Sequence, residues 1–288
     1  MNISKKRNRK KILIIGHGFL AKSLINNFSK RSNFNIFCIS KIKKYIQNYN
    51  SNVKFIDISK IKKTNFNIKF DVIINTIGNI NHDNFNSQTE NQILNDHFLL
   101  PKMILEKIKK DSQTLFIQIG SIDELDQINK KEFYQTPYAF FKNYFSNYLL
   151  TLKNNKVLNV KIIYLNSVFG KYQKKDRLIP LTIDSLKKNK SFFPKNPHQK
   201  RNFISSEEFA TSVEKIITKH KKFQDKIIIK SKFNYKVGEI VSFILENKNI
   251  KKYIATSSNY KKVEVFYINE KINIETKLKK VIDFYINE

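Results

Sequence analysis

The chain has 288 residues, enough for one large α/β domain or two joined lobes, and its 54 Lys and Arg against 24 Asp and Glu give a formal charge of +30. No apolar run approaches the roughly 20 residues that span a bilayer, the basic start MNISKKRNRKK lacks the apolar core of a signal peptide, and the single Cys38 excludes an internal disulfide, so a soluble, cytoplasmic protein without a membrane partner is expected. The lysines are spread along the chain instead of gathered in blocks, which argues against nucleic acid and leaves an anionic small molecule as the match for the charge; no Cys/His cluster has metal-ligand spacing.

In chain order, short apolar runs alternate with helical periodicity. Strands are predicted at 12–15, 36–39, 53–56, 71–75 and 115–119, and between them apolar residues recur three and four apart, as in Phe19, Leu20, Leu24, Ile25 and Phe28 or in the stretch 93–108. A helix over 138–152 and a strand at 160–165 follow. Beyond them come a loop with Pro180, a helix to about 188, a Pro194/Pro197 turn, a helix over 206–218, a strand at 227–229, a helix after Lys236 and a last helix through Leu278, Ile282 and Tyr285. Strand and helix in alternation predict an α/β fold with a doubly wound parallel sheet. Its expected extent is 10–166, with 203–231 returning to it. A smaller interwoven lobe is expected from 167–202 and 232–288, behind a basic tail at 1–9.

Only six glycines and five arginines occur, so their positions are informative. Gly16-x-Gly18-x-x-Ala21 follows a strand and opens a helix, the setting of a dinucleotide fingerprint. One Gly makes the turn, the next lets backbone approach a pyrophosphate, and the small third residue packs helix on strand. Gly16, His17, Gly18, Phe19, Leu20 and Ala21 are therefore candidate cofactor contacts. At the end of the second strand, where an acidic residue would chelate the ribose hydroxyls of NAD, the chain has Ser40 and Lys41, with Lys43 and Lys44 behind. This favours the 2′-phosphate of NADP over NAD. Asp57 and Ile58 after the third strand are candidates for the adenine side, and Thr76, Ile77 and Gly78 end the fourth strand where a crevice opens.

Ser121 follows a strand and a Gly, while Tyr138 and Lys142 lie four apart on a helix opened by Pro137. An i, i+4 pair shares one helix face, so the ammonium is expected to stabilise the phenolate and pull the Tyr138 phenol below its ordinary value, making it a general acid/base.

With Gly120-Ser121, Pro137-Tyr138-x-x-x-Lys142, Ser167-Val168-Phe169-Gly170, Leu178-Ile179-Pro180 and the run RNFISSEEFA at 201–210, the chain resembles the extended short-chain dehydrogenase/reductase family. The resemblance is to its nucleotide-sugar epimerases, dehydratases and ketoreductases, and runs from about residue 11 to the C-terminus. It implies a Rossmann fold and catalysis by Ser121, Tyr138 and Lys142, with Lys142 also holding the cofactor ribose. It further implies a nucleotide-sugar substrate contacted by Ser167, Arg177 and Arg201, with the arginines clamping its diphosphate. The dehydratases carry Asp-Glu immediately after the catalytic hydroxyl; here Ile122 intervenes and Asp123-Glu124 are displaced by one, which points away from dehydration. His97 stands where the family usually has Asn. The short gap from Ser121 to Tyr138 resembles the sugar 4-ketoreductases that make dideoxyhexoses such as CDP-abequose. The implied activity is a 4-ketoreductase or 4-epimerase of surface polysaccharide synthesis, in a family whose members commonly form homodimers. A cofactor-binding sensor or RNA-associated protein of the same fold is the alternative.

Overall fold

The computed structural model describes residues 9–40, 49–63, 66–78, 87–125, 136–255, 263–268 and 272–287. Eight strands form one sheet: β1 (Lys10–Ile15), β2 (Phe34–Ser40), β3 (Val53–Asp57), β4 (Val72–Asn75), β5 (Leu115–Ser121), β6 (Asn159–Leu165), β7 (Lys226–Lys230) and β8 (Glu264–Tyr267). Their order is β8-β7-β6-β5-β4-β1-β2-β3 and every pairing is parallel. The chain direction across the sheet reverses between β1 and β4, and a crevice outside the carboxyl ends of these two strands follows from that topology.

Helices cover both faces. The α-helices of the described residues are α1 (Phe19–Phe28), α2 (Ile58–Lys63), α3 (Ser87–Leu94), α4 (Leu100–Lys107), α5 (Pro137–Asn154), α6 (Leu178–Lys187), α7 (Ser206–Lys219), α8 (Val237–Glu246) and α9 (Ile274–Ile286). On one face Leu24 and Phe28 of α1 and Phe209, Val213 and Ile216 of α7 pack on Ile12, Ile14 and Ile117. On the other, Ile104 of α4 with Phe145 and Leu149 of α5 packs on Leu13, Ile73 and Phe116. Burial on both faces is why residues 12–15 of β1, 72–74 of β4 and 115–117 of β5 read as apolar runs.

A third cluster, built from Ile179 and Ile183 of α6, Ile240, Phe243 and Ile244 of α8 and Leu278 of α9, forms the smaller lobe. The lobe adds short strands: Ser167–Phe169 pairs in parallel with Phe203–Ser205, and Lys200–Arg201 pairs antiparallel with Phe233–Lys236. A capping box at Ser205 and Glu208 starts α7, and the Glu208 carboxylate also meets Lys277 of α9 at 2.5 Å. The Tyr285 hydroxyl of α9 donates to the Gln173 carbonyl at 2.9 Å, which fixes the loop after Phe169.

Two features differ from the sequence expectation. The strand β8 joins the large sheet, although the boundary at 232 put its residues in the smaller lobe; its four residues pair with β7 from an edge and are too short to show a period. The stretch 93–108 is not one helix. It passes through a π-helical turn at Asn95–Leu99 between α3 and α4 and ends in a short strand at Ile108–Lys109.

Gly170 is required by a close approach: a Cβ there would lie 2.2 Å from the Ser206 hydroxyl oxygen. Gly170→Ala is expected to cost about 1–3 kcal/mol through overpacking, read as a lowered Tm.

Candidate active site

The crevice at the sheet switch point is a cavity of about 650 Å³. Gly16, His17, Gly18, Phe19 and Leu20 line it from the β1–α1 turn, and Thr76, Ile77 and Gly78 from the end of β4. Ser121, Tyr138 and Lys142 line it from β5 and α5, and Ser167, Arg177 and Arg201 from the smaller lobe. Fourteen sequence-predicted residues therefore meet in one place.

The turn is shaped by backbone. Gly16 has φ +99°, its N–H donates to the Ile39 carbonyl at 3.0 Å, and a Cβ would lie 3.1 Å from the Thr76 hydroxyl oxygen. Thr76 donates that hydroxyl to the Ile15 carbonyl at 2.8 Å, locking the ends of β1 and β4 together. Asn75 holds the next residues: its side chain donates to Gln118 at 2.9 Å and accepts the Ile77 N–H at 3.2 Å. Gly18 opens α1 with no side-chain cap, and a Cβ at Gly18 would meet nothing within 4 Å. Bare helix N–H groups beside an open, side-chain-free approach fit a pyrophosphate, so the residues present fit a dinucleotide.

Tyr138 sits in the first turn of α5, which Thr136 caps by accepting the Ala139 N–H at 3.2 Å. Its ring meets the His97 imidazole edge to face with centroids 4.9 Å apart, and its phenol is hydrogen-bonded with Ser121. The Ser121 hydroxyl donates to Asp123 at 2.9 Å. Lys142 is buried, donates to the Ile119 carbonyl at 2.5 Å, and has its Nζ 5.5 Å from the Tyr138 ring centre.

The expectation of a lowered Tyr138 value is corrected by these surroundings. Burial pushes the phenol up from its ordinary value and the Glu124 and Asp123 carboxylates add to this, while Arg177 and the Ser121 hydrogen bond pull the other way. Helix spacing brings the Lys142 Nζ within 5.5 Å of the ring centre, but the cation that lowers the phenol is Arg177, and spacing carries no information on how dry the site is.

Other predicted residues lie apart from the cavity lining. Ala21 is fully buried and packs α1 on the sheet, the small-residue role of the fingerprint. Ser40 is buried at the end of β2, and Lys41, Lys43 and Lys44 lie outside the described residues. Asp57 and Ile58 line a neighbouring depression of about 700 Å³ with Asn95 and Leu99, and the Asp57 carboxylate accepts the Ser59 N–H at 2.9 Å.

Sequence reasoning missed several cavity residues. Lys22 lies one turn into α1, its Nζ 4.9 Å from the ring centre of Tyr172, which enters from the smaller lobe with Gln173 and Lys174. The loop at 170–177 has no period to read, and one lysine among 49 carries no signal.

Among the described residues no group of acidic, His and Cys side chains could hold a metal, and no helix is long and apolar enough to cross a membrane.

Comparison with curated proteins finds no match. Among solved structures, the chain resembles a UDP-N-acetylglucosamine 4-epimerase from Methanobrevibacter ruminantium M1 in complex with UDP-N-acetylmuramic acid, with a TM-score of 0.72 at 16% identity, covering 97% of this chain and 99% of that one. A UDP-glucuronic acid 4-epimerase from Bacillus cereus in complex with NAD gives 0.74 at 16% identity, covering 96% and 99%. A dTDP-glucose 4,6-dehydratase from Bacillus anthracis in complex with NAD gives 0.69 at 16% identity, covering 97% and 97%. These likenesses show a shared fold. The model of the NAD dependent epimerase/dehydratase family matches residues 12–230. This match covers the turn at Gly16, Ser121, Tyr138, Lys142 and both cavity arginines, and the chain belongs to that family.

Proposed function

We propose that this protein oxidises or reduces C4 of a hexose carried on a nucleoside diphosphate, as a 4-ketoreductase or 4-epimerase of surface polysaccharide synthesis. The observation that carries the reading is the shared cavity: a dinucleotide turn, a half-buried Ser121 beside buried Tyr138 and Lys142, and two arginines from a second lobe open onto one space. When bound, the nicotinamide would supply or accept the hydride. Tyr138, a phenol protonated at neutral pH and pushed further up by burial and by Glu124 and Asp123, donates its proton to the C4 oxygen in the reductive direction and takes it back in the other. Ser121 orients that oxygen, while Lys142 would hold the cofactor ribose. Arg177 and Arg201 present fork-shaped donors suited to a diphosphate. Ser40 and Lys41 support NADP as the preferred cofactor, Asp57 and Ile58 the adenine side, and Ser167 a contact to the substrate. The outward face of α5, where exposed Phe140 and Tyr144 stack at 6.3 Å, supports pairing of two copies.

The test is extraction of nucleotide from the purified protein. Tightly held NAD marks an epimerase, and an empty site that takes up NADPH marks a reductase. Failure to bind either cofactor overturns the reading.

A further inference from the structure

One carboxylate enters that scheme only through its effect on the Tyr138 phenol. Glu124 is fully buried. Its Oε1 accepts the Ser121 N–H at 2.7 Å and its Oε2 accepts the Ser146 hydroxyl at 3.1 Å. The first bond, with the Asp123 N–H donating to Ser121 Oγ at 3.3 Å, resembles a helix-capping arrangement. Buried glutamates are rare without a partner, and this one reaches beyond its own turn. Ser146 lies one turn after Lys142 on α5. The fit is also tight, since a Cβ at Gly120 would stand 2.8 Å from Glu124 Oε1 and 3.0 Å from the Tyr164 ring.

We propose that Glu124 is a positioning residue, whose buried carboxylate ties the Ser121 end of β5 to the helix bearing Tyr138 and Lys142 and supplies the counter-charge for the Lys142 ammonium. The inference rests on the reading of Tyr138 and Lys142 as the reacting pair. The charged and titratable groups facing this pair are Glu124 and Asp123 from the turn after β5, Arg177 from the smaller lobe, and His97 from the π-helical turn. Burial pushes the Lys142 ammonium down from its ordinary value, and Glu124, then Asp123, pull it back up. Burial pushes the Glu124 carboxyl up, and Lys142 heads the influences that lower it. For each group the charge of the other opposes the effect of burial.

The test compares cofactor affinity, read by reduced-nicotinamide fluorescence, in the parent and in Glu124→Gln. The glutamine keeps a hydrogen-bonding group at both positions and removes the charge. Affinity falls where Lys142 loses its proton, and the variant is expected to show that fall about one pH unit or more below the parent. Turnover profiles should move in the same direction, because loss of the anion also eases ionisation of Tyr138. An unchanged pH dependence with only a lowered Tm would make Glu124 a helix cap and overturn the proposal. Affinity needs no sugar, so lack of turnover in the parent would count against the reaction and leave the Glu124 result standing.

Stability gives a second readout. Glu124→Gln strands a buried ammonium and Lys142→Met strands a buried carboxyl, whereas the double variant strands neither. Its loss in Tm is expected to be smaller than the sum of the single losses, and folding should return if either single variant fails to fold. Additive losses, or a double variant that folds no better than the singles, would overturn the proposal.

Discussion

Tyr138→Phe is expected to keep the fold and cofactor affinity near those of the parent and to slow turnover by about 10²–10⁴-fold. The substitution removes one oxygen from a ring that stays packed against His97, so the aromatic contact survives. What disappears is the proton source held up by burial and its partnership with Ser121. Ser121→Ala should cost less, because it removes a hydrogen bond to the reacting oxygen and leaves the acid/base in place. Rates and affinities of the two variants on one sugar nucleotide check this order. A Tyr138→Phe protein running at the parent rate would remove Tyr138 from the chemistry.

Gly18→Val is expected to abolish cofactor binding while leaving Tm unchanged. A Cβ at this position meets no atom within 4 Å and the residue has an ordinary φ of −80°, so the chain accepts a side chain without strain. The branched group then projects into the space beside the bare N–H groups of α1, where a pyrophosphate must approach backbone. Gly16 offers the contrast: φ +99° and the 3.1 Å approach to Thr76 make a substitution there a folding defect. Cofactor titration and thermal melting of Gly18→Val separate the two effects. Undiminished binding would place the dinucleotide elsewhere.

The central sheet was legible because its parallel strands are buried on both sides, so runs such as Ile12–Ile15 stand out between amphipathic helices. Edge strand β8, with half-exposed residues, lacked that contrast. The π turn at Asn95–Leu99 escaped notice because one extra residue per turn hardly disturbs a helical apolar pattern. Glycines and arginines located most of the cavity, since scarce residues in a lysine-rich chain retain positional meaning. Tyr172 and Lys174 did not stand out, because a polar loop presents types that are common everywhere in this sequence. The electrostatics of Tyr138 depend on burial and on Glu124, which is read from the sequence as a displaced acidic residue and acquires its meaning only when the fold closes over it.

The most direct test of the account is NMR of a nucleotide hexose, and of its 4-keto form, after incubation with the purified protein and NAD or NADPH. The account predicts that the configuration or oxidation state changes at C4 and nowhere else in the sugar. Unchanged sugars of every nucleotide class, with a cofactor bound in the cavity, would contradict it.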